Sequence, residues 1–316
     1  MGVENMKEKI NLYLLSGFLG SGKTTFLTNI LKHLSEEKVG VIMNEFGKIG
    51  IDGTIISKQG MKLVEINRGS IFCSCLKLSF VSAMIEMADY PLKYLFVESS
   101  GLADPSNIGE VLDAVESVKG DVYDYKGAIC LVDGLYFLDQ LEHLETVERQ
   151  LKHCHLAVIN KVDLISKKTL EKIKIKIHDI NDKVTIKEAH FGKFDYDFLN
   201  EDLMKNQWAE SEDTTNTPEN KPKTIGLSFN GELKKDELTR FLERVSTHCY
   251  RIKGFFKLED GWNQVDVVND KIDYKISFVE ERQSTLVFIS KIGPNVIRKV
   301  NDSWNEVIKK DMKLSN

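Results

Sequence analysis

An eight-residue stretch at positions 17–24, Gly-Phe-Leu-Gly-Ser-Gly-Lys-Thr, has the residue types of a phosphate-binding loop. It matches G-x-x-x-x-G-K-[ST], follows an apolar run at residues 10–16 and leads into apolar residues at helical spacing. Its glycines let backbone N–H groups point into one concavity, which the positive end of a helix dipole also faces. The Lys23 side chain would reach the β- and γ-phosphates of a nucleotide, and the Thr24 hydroxyl would ligate Mg²⁺. We therefore predict that the phosphates bind to Gly20, Ser21, Gly22, Lys23, Thr24 and Thr25.

A second motif, Asn160-Lys161-Val162-Asp163, directly follows an apolar run at residues 156–159. It therefore lies at the carboxyl end of an expected strand, where α/β sheets bind ligands. A carboxylate there can accept hydrogen bonds from guanine N1–H and the exocyclic amine, which adenine does not offer. Alone, N-K-x-D is a common loop tetrapeptide. After a phosphate-binding loop it favours guanine over adenine, so we expect Asn160, Lys161 and Asp163 to bind the base.

A third apolar run, at residues 94–97, ends in Glu98 and is followed by Ser-Ser-Gly. An acid at this position can hold a water molecule on Mg²⁺ or help orient the attacking water, and Gly101 lets backbone approach the γ-phosphate. The alternative is a glutamate that simply faces solvent at a strand end. Because a parallel sheet would bring this strand end close to the phosphate-binding loop, we predict catalytic roles for Lys23 and Glu98.

Apolar runs and amphipathic stretches alternate along the first two hundred residues. The runs typical of buried parallel strands are residues 10–16, 39–43, 94–97, 128–132 and 156–159. The stretches with helical spacing are residues 24–34, 80–87, 108–115 and 168–180. This alternation predicts an α/β fold, a doubly wound and mostly parallel sheet of the P-loop NTPase type, over residues 1–204.

The composition changes after this region. Residues 205–223 are almost free of aliphatic side chains and rich in Thr, Asn, Pro and charge, which predicts a linker. Residues 224–316 have the pattern β-α-β-β-(β)-β-α. We expect a smaller α+β domain there, with an antiparallel sheet and its helices on one face.

The overall composition narrows the class of protein. The chain has 316 residues, 42% hydrophobic residues and a formal net charge of -5, without a basic run that has interleaved aromatics. This balance argues against a nucleic-acid partner. The N-terminus lacks the apolar core of a signal peptide, and no window approaches the ~20 apolar residues of a membrane span. Five cysteines at irregular spacings fit reduced thiols, so we expect a cytoplasmic protein.

Together these motifs resemble the CobW-type P-loop GTPases, which are relatives of the UreG and HypB nickel chaperones. The resemblance rests on residues 17–25, 44–52, 98–105, 160–163 and, in the second domain, 254–255. The run E-S-S-G-L-A-D-P at residues 98–105 is its most discriminating part. The resemblance implies hydrolysis of GTP with Mg²⁺, coupled to delivery of a metal or metallocofactor to a client metalloprotein or cofactor-dependent enzyme. A corrinoid is one such cargo, and a homodimer is one possible assembly.

The resemblance also implies a switch region at residues 44–52 that senses the γ-phosphate and places Glu45 near metal or attacking water. Taken on its own residues, this segment also fits an ordinary glycine-bearing connection.

The family's C-x-C-C metal motif is altered in this chain. Aligned on Gly69, two of the three cysteine positions hold Ser70 and Phe72, whereas Cys73 remains and Cys75 could compensate. Two thiolates are fewer than the four ligands of a closed zinc site. Cys73, Cys75 and, by the resemblance, Glu45 are the candidate ligands for Zn²⁺ or another transition metal. The alternative is that both cysteines are small, half-buried thiols.

Two other functions are compatible with a phosphate-binding loop. A P-loop kinase for a small molecule would need an acceptor pocket and a mobile basic lid, and the sequence has no Arg-rich stretch to form one. A nucleotide-gated binding module would hydrolyse GTP only incidentally.

Overall fold

The computed structural model describes residues 8–43, 62–65, 77–99, 101, 106, 108–205, 222–268, 271–277 and 281–315. The chain divides into two compact units, Met1–Glu219 and Asn220–Asn316. Across these described ranges, no helix has the length and apolar character that crossing a membrane requires.

The first unit alternates strands and helices. Its described strands are β1 (Ile10–Ser16), β2 (Val39–Met43), β3 (Lys62–Glu65), β4 (Tyr94–Glu98), β5 (Tyr123–Asp133), β6 (Leu156–Asn160) and β7 (Thr185–Glu188). Its described helices are α1 (Lys23–His33), α2 (Lys77–Met87), α3 (Ile108–Lys119), α4 (Phe137–His143), α5 (Glu145–Lys152) and α6 (Lys167–Ile180).

The strands form one seven-stranded sheet in the order β3-β2-β4-β1-β5-β6-β7, and every neighbouring pair is parallel. Side chains alternate between the two faces of a strand. On β1, Tyr13 and Leu15 belong to the core that also includes Phe26 of α1, whereas Leu12 and Leu14 point to the opposite face. All four strand residues are at most 1% exposed, so both faces are covered. The predicted doubly wound parallel sheet is confirmed.

The carboxyl ends of the central strands meet at one edge of the sheet. Glu98, the last residue of β4, is the register partner of Leu15 near the end of β1. Asp133 at the end of β5 is likewise the partner of Asn160 at the end of β6. The phosphate-binding loop (residues 17–24) follows β1, and the base-selecting motif (residues 160–163) begins at the end of β6. Both therefore lie at the same edge of the sheet, with β5 between the two strands.

The second unit is an antiparallel sheet with two helices among its described residues. Its strands are β8 (Thr224–Phe229), β9 (Cys249–Leu258), β10 (Gly261–Val268), β11 (Lys271–Ile276), β12 (Ser284–Ser290) and β13 (Lys313–Ser315), and its helices are α7 (Lys235–Ser246) and α8 (Val296–Val307). The strand order is β11-β10-β9-β12-β8-β13. The Trp304 ring of α8 lies against Phe229, Phe241 and Phe256 in the centre of the core. The expected α+β fold is confirmed for this unit.

Several elements were not predicted from the sequence. Helices α4 and α5 were missed because their short sequences are mostly polar, with few apolar positions to show a period. Strand β5 begins at Tyr123, five residues earlier than the apolar run at 128–132 indicated, because three residues of its first half are only half-buried. Strands β3, β7 and β13 lie at sheet edges, where burial imposes little apolar pattern.

Candidate nucleotide-binding site

The phosphate-binding loop connects β1 to α1, the arrangement that the sequence predicts. Gly22 occupies the N-cap position of α1 with φ 102°, in the left-handed region that favours glycine. A Cβ atom at Gly22 would lie 2.4 Å from Nδ2 of Asn160, so a larger residue would also push the two motifs apart. The first turn of α1 contains no acidic residue of its own, and the positive end of the helix dipole favours an anion at this position. This loop has the geometry of an anion site.

The Lys23 side chain folds back along the loop that precedes it. Its Nζ atom donates hydrogen bonds to the carbonyl oxygens of Gly17 at 2.8 Å and Phe18 at 3.2 Å. The residue is only 8% exposed. The loop thus holds a positive charge at the place where the sequence predicts the β- and γ-phosphates.

Thr24 and Glu98 meet across the gap between α1 and β4. The Thr24 hydroxyl donates a 3.0 Å hydrogen bond to Oε1 of Glu98, whose residue is 4% exposed. A hydroxyl and a buried carboxylate side by side are hard oxygen ligands of the kind that Mg²⁺ prefers. These two side chains fit the predicted Mg²⁺ site. Thr25, also in the first turn of α1, is exposed.

Asn160 links three loops at the edge of the sheet. Its Nδ2 donates to the Ser21 carbonyl at 2.9 Å, and its Oδ1 accepts from the Gly192 N–H at 3.0 Å. The residue is 3% exposed. The Asn160 side chain therefore fixes the base-selecting motif to the phosphate-binding loop on one side and to the chain after β7 on the other.

Lys161 and Asp163 follow in the same motif. Lys161 has φ 63° and precedes a 3₁₀ turn at Val162–Leu164, which carries Asp163 at the surface. The backbone N–H of Val162 donates to the carbonyl of Ala189 at 3.3 Å, so this turn lies against the chain that leaves β7. An exposed carboxylate at the carboxyl edge of the sheet is placed to meet a ligand from solvent.

Asp133 is a site residue that the sequence reasoning missed. It ends β5, its side chain is fully shielded from solvent, and its Oδ2 accepts a 2.7 Å hydrogen bond from Lys161 Nζ. The signal was present in the sequence, because an acid ends the run at 128–132 as Glu98 ends the run at 94–97. The Tyr136 ring lies 6.0 Å from the same Lys161 ammonium group.

Gly101 is buried between the phosphate-binding loop and α5. A Cβ atom there would lie 2.5 Å from Cδ2 of Leu19, and its carbonyl oxygen accepts a 3.3 Å hydrogen bond from Gln150 Nε2. Gln150 is 1% exposed and was also missed, because nothing in a polar helix marks one glutamine for a distant contact. Gly101 is therefore in contact with the phosphate-binding loop on one side and with α5 on the other.

The predicted transition-metal ligands Glu45, Cys73 and Cys75 lie outside the described residues. Within the described ranges, no three or more His, Cys, Asp or Glu side chains group so that they could hold a metal ion. The cysteines that are described, Cys130, Cys154 and Cys249, are buried and free. The metal ligands thus stay a prediction.

The sequence matches known families over both units. Residues 11–188 match the family model described as CobW/HypB/UreG, nucleotide-binding domain, and residues 223–300 match the cobalamin synthesis protein cobW C-terminal domain. The chain belongs to the CobW/HypB/UreG family. The resemblance predicted from the motifs is confirmed.

Two relatives illustrate the similarity. The zinc chaperone YjiA of Escherichia coli K12 is 28% identical over 196 residues, which cover 60% of each chain. The zinc chaperone YeiR of the same organism is 34% identical over 152 residues, covering 48% of this chain and 46% of YeiR. The match thus spans about 60% of the length of the first of these relatives. The crystal structure of Zn(II)-bound YjiA GTPase shares the fold with a TM-score of 0.50 and 21% identity, covering 95% of this chain and 99% of that chain.

Proposed function

We propose that this protein binds GTP and hydrolyses it to GDP and phosphate. The proposal rests on one observation. Lys23, the Thr24–Glu98 pair and the Asn160 motif all lie at one edge of the parallel sheet. A cation, a hydroxyl–carboxylate pair and a base-selecting loop are the parts that phosphoryl transfer from a nucleotide requires. Membership of the CobW/HypB/UreG family supports the same conclusion.

The side chains of the phosphate site have separate roles in this hydrolysis. The Lys23 ammonium would neutralise charge that develops on the β- and γ-phosphate oxygens, and the loop N–H groups would cradle them. Thr24, and Glu98 through a water molecule, would hold Mg²⁺, which supplies a Lewis acid for the phosphate oxygens. The oxygen of the attacking water bonds to the γ-phosphorus while the bond to the β-phosphate oxygen breaks, and the water proton leaves with phosphate. Glu98, or Glu45 by family resemblance, would orient that water.

Base selection rests on Asp163 in this proposal. Its exposed carboxylate would accept the N1–H and amine hydrogens of guanine, while Lys161 and Asn160 keep the motif in place through Asp133 and Ser21. A site built for these two hydrogen bonds rejects adenine because the carboxylate would be left unpaired.

The K23A variant tests the hydrolysis. It removes the cation inside the loop, so phosphate release from GTP should fall at least a hundredfold while the melting temperature stays close to that of the wild type. K32A is the matched control, because Lys32 lies on the same helix and is exposed. Equal turnover by wild type and K23A would refute the assignment of the site.

We further propose that hydrolysis is coupled to delivery of a transition metal, Zn²⁺ in the first instance, to a client protein. The names of the relatives YjiA and YeiR, both zinc chaperones, support this role. Cys73, Cys75 and Glu45 are the proposed ligands for the cargo. Two thiolates and one carboxylate should bind Zn²⁺ less tightly than a full thiolate set, and less tightly as the pH falls and the thiols are protonated.

A zinc titration of the wild type and the C73S/C75S double variant, each with and without a non-hydrolysable GTP analogue, tests the coupling. The wild type should bind zinc more tightly than the variant, and its zinc affinity should change with the analogue by the same factor as the analogue's affinity changes with zinc. Identical weak binding in all four conditions would show that the cysteines are structural. A separate experiment, capture of partner proteins on the wild type bound to the GTP analogue, would identify the client.

A further inference from the structure

A tight turn follows β7 beside the base-selecting motif. His190 and Lys193 exchange backbone hydrogen bonds of 3.4 and 3.0 Å, which makes residues 190–193 a two-residue hairpin turn. The two central residues, Phe191 and Gly192, both have positive φ, 51° and 64°. Positive φ at both central positions is the signature of a type I′ turn.

Three contacts hold this turn against the candidate nucleotide site. The Gly192 N–H donates to Oδ1 of Asn160, and the Asn29 side chain of α1 donates to the Phe191 carbonyl at 2.8 Å. Gly192 also lies against the backbone of Phe26, since a Cβ atom there would be 2.8 Å from the Phe26 Cα. The turn is therefore held against both the base-selecting motif and the helix that starts at the phosphate-binding loop.

Phe191 combines a strained backbone conformation with an exposed aromatic side chain. A bulky residue with φ 51° is an outlier, and glycine would adopt this conformation without cost. The side chain is not part of a core, because the residue is 68% exposed. The His190 ring contacts the Phe191 ring edge-on, with the two ring centroids 5.5 Å apart. A strained, exposed aromatic residue at a ligand site calls for a functional explanation.

We propose that the Phe191 ring is a wall of the base subsite, on which the purine of the bound nucleotide stacks. Asp163 can recognise only the edge of guanine, so the face of the base needs a partner. The motif that carries Asp163 is joined to the Phe191 turn through Asn160 and through the Val162–Ala189 hydrogen bond. Stacking tolerates every base because every base has a π-face. Phe191 thus adds affinity for the purine, whereas Asp163 adds selectivity. The inference rests on the proposed GTP binding and deepens it.

The F191G variant separates stacking from a structural role. It removes the ring and suits positive φ, so the turn should remain and the melting temperature should equal or exceed that of the wild type. By calorimetry, F191G should bind GTP and GDP about tenfold more weakly and inorganic tripolyphosphate unchanged, because only the base loses a contact. I175A is the control, since Ile175 is similarly exposed, at 59%, on α6.

The F191W variant provides a positive readout. Its indole should keep GDP affinity near that of the wild type, and saturating GDP should quench its emission beyond the change seen in the wild type, which has three tryptophans of its own. Equal GDP affinity of F191G and wild type, or no added quenching in F191W, would overturn the stacking while GTP binding stands. Loss of tripolyphosphate binding and a lower melting temperature in F191G would show a structural role instead. A wild type that binds neither GTP nor GDP would refute the proposed function, and the stacking with it.

Discussion

The ammonium group of Lys161 donates a 2.7 Å hydrogen bond to Oδ2 of Asp133, whose side chain has no exposed surface. The two residues belong to adjacent loops, because Asp133 and Asn160 are register partners at the ends of β5 and β6. Lys161 has left-handed backbone, and the buried carboxylate fixes where its side chain lies. The orientation of the base-selecting motif therefore depends on a residue outside the motif.

We predict that D133N weakens GTP binding about tenfold, because asparagine keeps the shape of the side chain but leaves the Lys161 charge without its buried counterion. K161M should weaken binding as well, and the double variant should lose less than the two single effects added together, since both act through one pair. Calorimetric titration of GTP into the four proteins measures this. Strictly additive effects would show that the pair does not act as a unit.

The D163N variant tests the guanine readout. Asparagine presents one oxygen and an N–H₂ group where the carboxylate offered two acceptors, so GTP affinity should fall about a hundredfold. Residual ATP binding should not change, because adenine makes no use of the carboxylate. Competition titrations with both nucleotides provide the comparison. Equal losses for GTP and ATP would contradict a role for Asp163 in recognising the base.

The E98Q variant tests the Mg²⁺ site. Glutamine can still accept the hydrogen bond from Thr24 but brings no negative charge, so half-maximal turnover should require about tenfold more Mg²⁺. T24V removes the hydroxyl and should act in the same direction. GDP binding without Mg²⁺ should be unaffected by E98Q. E36Q serves as the control because Glu36 is exposed. An unchanged Mg²⁺ dependence in both variants would remove Thr24 and Glu98 from the metal site.

The parts of the fold that the sequence predicts well are those with strong local signals. The bounds of β2 are the apolar run at 39–43, and α1 starts within one residue of the predicted position because the loop motif marks it. Strand β7 has the sequence Thr-Ile-Lys-Glu, with three half-buried residues and an exposed glutamate, so it shows no apolar run. Its place at the sheet edge depends on pairing with β6, which no local pattern reveals.

The residues of the site likewise fall into two groups, those that sequence motifs reveal and those that only the folded structure reveals. Lys23, Thr24 and Asn160 follow from motifs, because loop chemistry requires these residue types at fixed spacing. Phe191 and Gln150 do not. Their contacts to the site join positions separated by 49 residues for Gln150 and Gly101 and 162 for Phe191 and Asn29, so they exist only after the sheet has formed.

His155, a buried histidine directly before β6, should make the stability of the protein depend on pH. His155 is 1% exposed, and its Nδ1 accepts a 2.9 Å hydrogen bond from the Ala128 N–H. Burial lowers the pKa of His155 from its usual 6.5 to about 4, although the charge of Asp202 acts in the opposite direction. The Tyr125 ring lies edge-on to the imidazole at 6.2 Å. The folded protein therefore holds this histidine neutral.

Between pH 6.5 and 4 the unfolded chain binds a proton that the folded protein does not, so stability is lost as the pH falls through this window. From pH 7.5 to 4.5 this one group should lower the free energy of unfolding by about 2 kcal/mol. H155N keeps an acceptor for Ala128 but does not titrate, so urea unfolding of H155N should show a loss smaller by that amount. H178N should behave as the wild type, because His178 is exposed on α6. Parallel pH curves for H155N and wild type would mean that His155 does not titrate differently in the folded and unfolded states.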